Sequence, residues 1–311
     1  MLPEGERFDL VEPVALAELD ELDAVGARPG PHASVRGLAL LGHGQEGDLS
    51  FCDRAPAPSL VLRAGSWVLS TEALAADLRA RFPQVGWLVA EDPRAVFIDF
   101  GHALLAREAV AVDARLPRPF GIDPGAQVGP HAVVHPHSRI EAGARIGAHC
   151  VIHRGSWIGP RAVIRDHAVV GVEGINAYRG ADGRVRSFPH FAGVLVGADA
   201  EVGAGAVLVK GILTHTRVGA RSIIGNLCNV GHGVEVGEGV WMSVGCLVGG
   251  HSAIGAGATL GLGVRVRDNL RIGAGASVGM GSVVVRPVPP AASVFGNPAR
   301  AMPAVQAGPA R

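Results

Sequence analysis

From residue 120 onward an aliphatic side chain returns at every sixth position, and that period constrains the fold more than any other feature of the chain. The first series runs Ile122, Val128, Val134, Ile140, Ile146, Ile152, Ile158, Ile164 and Val170. Two positions before most of these sits a small residue: Ala126, Ala132, Ser138, Ala144, Cys150, Ser156, Ala162 and Ala168. The period resumes at Val196, Val202 and Leu208, then runs unbroken from Val218 through Ile224, Val230, Val236, Met242, Val248, Ile254, Leu260, Val266, Ile272 and Val278 to Val284. A fixed short period is the signature of a repeat architecture. Each hexad reads as one short strand and a turn, with the aliphatic and small residues inward. Gly often follows the aliphatic residue, where the turn calls for positive φ. Three hexads close one triangular coil, and successive coils pair as parallel strands about 4.8 Å apart. The 24 aliphatic positions therefore predict eight coils of a mainly β, parallel β-helix over 118–285.

Composition agrees with a narrow aliphatic core and many turns: Gly is 45 of 311 residues and aromatics are 5%. Cys150, Cys228 and Cys246 fall on the small inward position, so they read as packing residues. With Cys52 they form no CxxC pair, which argues against a zinc ribbon or a disulfide framework. Lys+Arg and Asp+Glu are both 28. That balance lacks the basic footprint of a nucleic-acid binder. No apolar stretch approaches a membrane span, and the start MLPEGERFDL has no basic-then-apolar leader pattern. The expectation is a soluble cytoplasmic protein with no membrane span.

Two interruptions break the period. GVEGINAYRGADGRVRSFPHF, residues 171–191, separates Val170 from Val196, and four extra residues near GILTHT separate Leu208 from Val218. Loops leaving a rigid scaffold are where function tends to sit. Residues 1–117 follow no such period. They read as a small α/β domain: a helix over VEPVALAELDELDAVG, a loop over GQEGDLSFCDRAPAP, then strand, helix, strand, helix at WVLST, ALAADLRARF, VGWLVAED and AVFIDFGHALLA. Prolines after Val284 end the solenoid, leaving a C-terminal tail, 286–311, expected to be partly disordered.

A histidine at a turn stands out in RVGARSIIGNLCNVGHGVEVGEG. A neutral imidazole is suited to take a proton from a substrate at cytoplasmic pH. His232 lies two residues after the inward Val230, at a turn facing outward. The residue one coil on, eighteen later, is Gly250, so nothing bulky stacks on its ring from that side. Backbone N–H groups of Gly249 or Gly250 are candidates for stabilising an oxyanion. His251 and, in the four-residue bulge, His215 are candidate substrate contacts. His131, His149 and His167 are also spaced by eighteen, as are His135 and His153. They raise a γ-carbonic-anhydrase-like metalloenzyme as an alternative, but side chains in a parallel ladder point the same way and do not converge as metal ligands do. No metal is expected. A catalytically silent scaffold is the third reading, opposed by the motif at His232.

Together the repeat, the GDLSFC segment with its strand-helix units, the insertion and the NVGHGV run resemble the UDP-3-O-acylglucosamine N-acyltransferases of lipid A synthesis. The resemblance covers nearly the whole chain. It implies a left-handed helix, a homotrimer with active sites between subunits, a nucleotide-binding N-terminal domain and His232 as catalytic base. It implies an acyl-CoA or acyl carrier protein co-substrate and a nucleotide-linked amino sugar as acceptor. The chain departs from the family at three places. In the uracil loop Phe51 is kept, able to stack on a base, but Arg54 stands where an Asn is usual. Asn269 stands at the family's second histidine and is read as a substrate contact. In place of the family's C-terminal helix comes FGNPAR, which resembles the ending of coenzyme-A-dependent sugar acetyltransferases. Arg286 and Arg300 flank that segment as candidate contacts to coenzyme A phosphates. The departures point to a different sugar, a shorter acyl group, or both.

Overall fold

The computed structural model describes residues 7–15, 33–111, 116 and 119–302. The chain divides into two units.

The first unit comprises Met1–Arg115, Ile175–Phe191 and Ile212–Thr214. Its five-stranded sheet has the order β1 (Arg7–Ala15), β2 (Ser34–Ala39), β3 (Asp48–Cys52), β4 (Trp67–Ser70), β5 (Gly86–Val89). β1 runs antiparallel to β2, and the other neighbours are parallel. Helix α1 (Glu72–Arg79) starts at Thr71, whose hydroxyl accepts from Leu74 N–H, and α2 (Pro93–Ala106) at Asp92, whose carboxylate accepts from Ala95 N–H. Such caps satisfy N–H groups that the first helical turn leaves open. Strands at WVLS and GWLV and both helices match the sequence reading. Two expectations fail. Residues 11–15, expected to be helical, belong to β1, with Phe8 and Leu10 buried. The remaining expected helix, 16–26, lies outside the described residues. DLSFC, expected to be a loop, is β3, held by parallel pairing to β2 and β4 on either side. Strand partners far away in sequence override local propensity in both places.

The 171–191 insertion supplies a hairpin of Ala177–Arg179 and Val185–Ser187 to this unit. Tyr178 donates to Asp92 at 2.9 Å, and Asp92 also accepts from Ala181 N–H. Arg186 pairs with Asp99 on α2 and with Asp182. That second contact holds the Asp182 carboxyl down to about 2.

The second unit comprises Leu116–Gly174, Ala192–Gly211 and His215–Arg311. It is a left-handed parallel β-helix whose two- to four-residue strands form three ladders of eight, eight and ten strands. The register keeps each predicted aliphatic residue above its counterpart: Ile146 on Val128, Ile158 on Ile140, Val230 on Leu208. Ile140, Ile152, Ile158, Val230 and Met242 are fully buried, and Cys150, Cys228 and Cys246 fill the small inward positions between them. Burying each such aliphatic side chain contributes about 1.5–3 kcal/mol. Ile122 and Val128 in the first coil, by contrast, are exposed.

The glycine after each aliphatic residue has a role other than the expected one. Positive φ falls two residues later, as at Gly233 (φ 64°). Gly231 is needed because the next coil passes so close that a Cβ would lie 2.8 Å from Gly250 N. The solenoid also continues past its expected end. Val288 bridges to Ile272, and Ser293–Phe295 adds a parallel strand followed by antiparallel Arg300–Ala301. The prolines obscured this, because Val294 sits sixteen residues after its partner Val278 instead of eighteen. The tail beyond 302 lies outside the described residues.

Candidate active site

His232 stands at a corner of the second unit. Parallel pairing of Asn229 with Leu247 and of Leu247 with Arg265 sets the register. Three positions beyond each lie His232, Gly250 and Asp268, which thus share a column; Arg286 continues it, since Arg265 pairs with Val283. The adjacent column carries Gly233, His251 and Asn269, all left-handed with φ of 64°, 55° and 56°. For the two non-glycine residues this conformation costs roughly 1–2 kcal/mol.

Gly250 packs directly on the imidazole: a Cβ there would lie 2.4 Å from Cε1 of His232. The ring of His251 meets that of His232 edge-on, centroids 4.7 Å apart and planes at 74°. Backbone bonds tie the corner together, His251 N–H donating to His232 O at 2.8 Å and Asn269 N–H to Gly250 O at 2.9 Å. His232 is half-buried. Its ring is pushed down to about 4, chiefly by burial and then by His251, with Asp268 opposing both. His251 keeps an exposed face, yet its surroundings remove enough water to lower its pKa too, again opposed by Asp268. At neutral pH the pair is therefore uncharged and able to accept a proton.

The two oxyanion candidates separate. Gly249 N–H donates to Val266 O at 2.9 Å, so the ladder uses it, and its expected role is corrected. Gly250 N–H donates to no protein acceptor among the described residues. His215 is also corrected: expected in an exposed bulge, it is 2% exposed, with Nδ1 accepting Gly193 N–H at 3.0 Å. Asn269 is exposed and donates to Asp268 Oδ2 at 2.8 Å. Arg286 is exposed, and so is Arg300, whose guanidinium reaches Ala299 O at 3.2 Å.

In the first unit Phe51 and Arg54 line a cavity of about 640 Å³ with Asp53, His43, Leu60 and Arg94. Phe51 is half-buried, its ring 5.0 Å from Phe97 and 6.0 Å from Phe188. Arg94, missed by sequence reading, lies over Phe51 at 5.6 Å and pairs with Asp53 at 2.7 Å. A larger hollow of about 870 Å³ on the early coils, lined by Arg145, Arg165 and Glu201, includes none of the His232 group. The histidine column stacks face to face: His131–His149 and His149–His167 centroids are each 5.0 Å apart, with planes 18° and 2° apart. Among the described residues no three His, Cys, Asp or Glu side chains gather as metal ligands, and no helix is long and apolar enough to cross a membrane.

Asp268 was also missed, although the count of eighteen that found Gly250 reaches it one coil further on.

No protein-family model matches the chain. Over 76 residues it is 34% identical to a UDP-3-O-acylglucosamine N-acyltransferase of Maricaulis maris, covering 24% of this chain and 22% of that one. Over 72 residues it is 33% identical to UDP-3-O-acylglucosamine N-acyltransferase 2 of Legionella pneumophila strain Paris, covering 23% and 21%. The match thus spans about a fifth of the length of these curated relatives. Among solved structures, LpxA from Acinetobacter baumannii superposes with a TM-score of 0.52 at 21% identity, over 58% of this chain and 68% of that one, a likeness of fold.

Proposed function

We propose that this chain is an N-acyltransferase, moving an acyl group from a thioester to the amino group of a nucleotide-linked amino sugar in the cytoplasm. The observation that carries the reading is the His232 corner: an uncharged imidazole beside the uncommitted N–H of Gly250. The likeness to two named UDP-3-O-acylglucosamine N-acyltransferases supports it.

In this reading the acceptor nitrogen forms a bond to the thioester carbonyl carbon while His232 takes its proton. Gly250 N–H stabilises the oxyanion. The tetrahedral intermediate then expels the thiolate, which recovers the proton from His232. His251 and Asn269 border the acceptor. In the first unit, the Phe51–Arg54 cavity receives the nucleotide, Phe51 against the base and Arg54 at a base edge or diphosphate. The donor is a coenzyme A thioester in preference to an acyl carrier protein, its phosphates meeting Arg286 and Arg300. A homotrimer is the proposed assembly.

The test is transfer from acyl-CoA and from acyl carrier protein to UDP-, TDP- and GDP-linked amino sugars. His232→Ala should lower turnover by about 10²–10⁴-fold, the usual worth of a general base, while the protein remains folded. Near-full activity in that folded variant would remove His232 from the mechanism. A hundredfold preference for the carrier protein would overturn the coenzyme A assignment.

A further inference from the structure

No side chain stands in the column between His232 and Asp268, because the intervening residue is Gly250. All three lie in one column, each three residues past a paired strand position, so Asp268 stands two coil steps from His232, about 10 Å along the stack. A side chain at the intervening position would collide with the imidazole, 2.4 Å from Cε1. Asn269 donates to Asp268 Oδ2 at 2.8 Å and restrains the carboxylate. Asp268 is the single acidic residue in 251–302, a stretch with five arginines.

We propose that Asp268 is a positioning residue for the reaction: its carboxylate is the counter-charge to the imidazolium that forms on His232 between proton uptake from the amine and proton return to the thiolate. The inference rests on the acyltransferase reading. His232 is neutral before and after the transfer and positive only between, so a fixed negative charge along the column favours the intermediate over the ground state. Other charges near the corner do not take this place. His251 is itself an imidazole and opposes a second positive charge. Lys210, one coil to the other side of His232 in the column, is ion-paired with Glu173 at 2.9 Å. Arg267 precedes Asp268 and Arg286 follows one coil further on, both cationic. Asp268 raises the proton affinity of both His232 and His251.

The experiment uses Asp268→Asn, which keeps a hydrogen-bond acceptor for Asn269, with Asp268→Glu as the restoring control. Asp268→Asn should lower kcat about 2- to 10-fold, the effect of a partly screened charge at this range. KM should be little altered and the melting temperature unchanged, and Glu should restore most of the loss. By NMR, the imidazole C–H signal of His232, assigned with His232→Ala, should titrate at lower pH in Asp268→Asn, a readout that needs no substrate. An unchanged His232 midpoint, in a chain that His232→Ala inactivates, overturns this inference alone. Full activity of His232→Ala overturns the acyltransferase base and this inference with it.

Discussion

At Gly250 one missing methyl group serves the neighbouring ring. Gly250→Ala should fold, because the clash is with a side chain that can rotate, but His232 must then leave its place against the backbone. We expect kcat/KM to fall about tenfold or more, since misplacing a catalytic group by an ångström is costly; a crystal structure showing an unmoved ring with undiminished activity would contradict this. The same half-burial has a pH signature. His232 in the folded chain titrates at about 4, below the 6.5 of a free imidazole. Above 6.5 both states are neutral and pH has no effect through this group. As pH falls from 6.5 toward 4 the unfolded chain takes up a proton that the folded chain refuses, so stability is lost over that window. His135, His153 and His251 are lowered as well, burial being the main cause in each, and they add in the same direction. Urea midpoints at pH 7.5 and pH 5.0 should show the fall, and His232→Ala should flatten it.

At the scale of elements, the solenoid strands were legible because each hexad carries its own instruction: one aliphatic residue, one small one, one turn. Ile158, with no exposed surface and neighbours from the coils on both sides, should cost about 2–5 kcal/mol when cut to Ala, measured by denaturant unfolding. The strand Arg7–Ala15 was not legible, because it is made by antiparallel pairing with Ser34–Ala39 across the intervening chain. The strand at Ser293–Phe295 was hidden by a changed spacing. At the site, counting eighteen from His232 led to Gly250. That count could not say which glycine N–H the ladder consumes, nor that the bulge folds His215 inward, since both depend on where backbone groups meet. The inserted hairpin carries charged contacts to α2 beside the apolar anchor of Phe188 on Phe97. Arg186→Ala removes the partner of both Asp99 and Asp182 and should speed proteolytic cleavage within 177–187; a cleavage rate equal to the parent's would show that Tyr178 and Asp92 suffice.

The whole molecule is neutral by count yet uneven along its length. Residues 251–302 hold Arg265, Arg267, Arg271, Arg286 and Arg300 against the lone Asp268. If phosphates of the donor meet this end, KM for a coenzyme A thioester should rise several-fold between about 50 and 300 mM salt while KM for the acceptor changes less, exposed charges being screened over roughly a Debye length of 8–10 Å. Arg286→Ala and Arg300→Ala should each weaken that dependence, and equal salt slopes in parent and variants would place the donor elsewhere. The proposed trimer has its own marker. Val244, Leu262 and Met280 recur every eighteen residues and are 42%, 51% and 64% exposed. A continuous apolar seam of this kind marks an interaction surface. Sedimentation should give three times 31.9 kDa, and Leu262→Asp with Met280→Asp should reduce it to one. Unchanged mass in the double variant would separate the seam from assembly.

The ladders also reveal how such a chain tolerates editing. Ile158 pairs with Val196 across twenty residues more than a coil contains, and Val196 with Val218 across four more, yet neither rung is displaced. The corners therefore act as splice points: whatever is added between two strands is looped out, and alignment resumes on the far side. A short peptide grafted into the Gly180–Arg184 turn should leave every rung in register, whereas the same peptide placed inside a hexad would push an aliphatic residue off the axis. Lineages carrying this architecture can acquire new parts by insertion long before any residue of the core has to change.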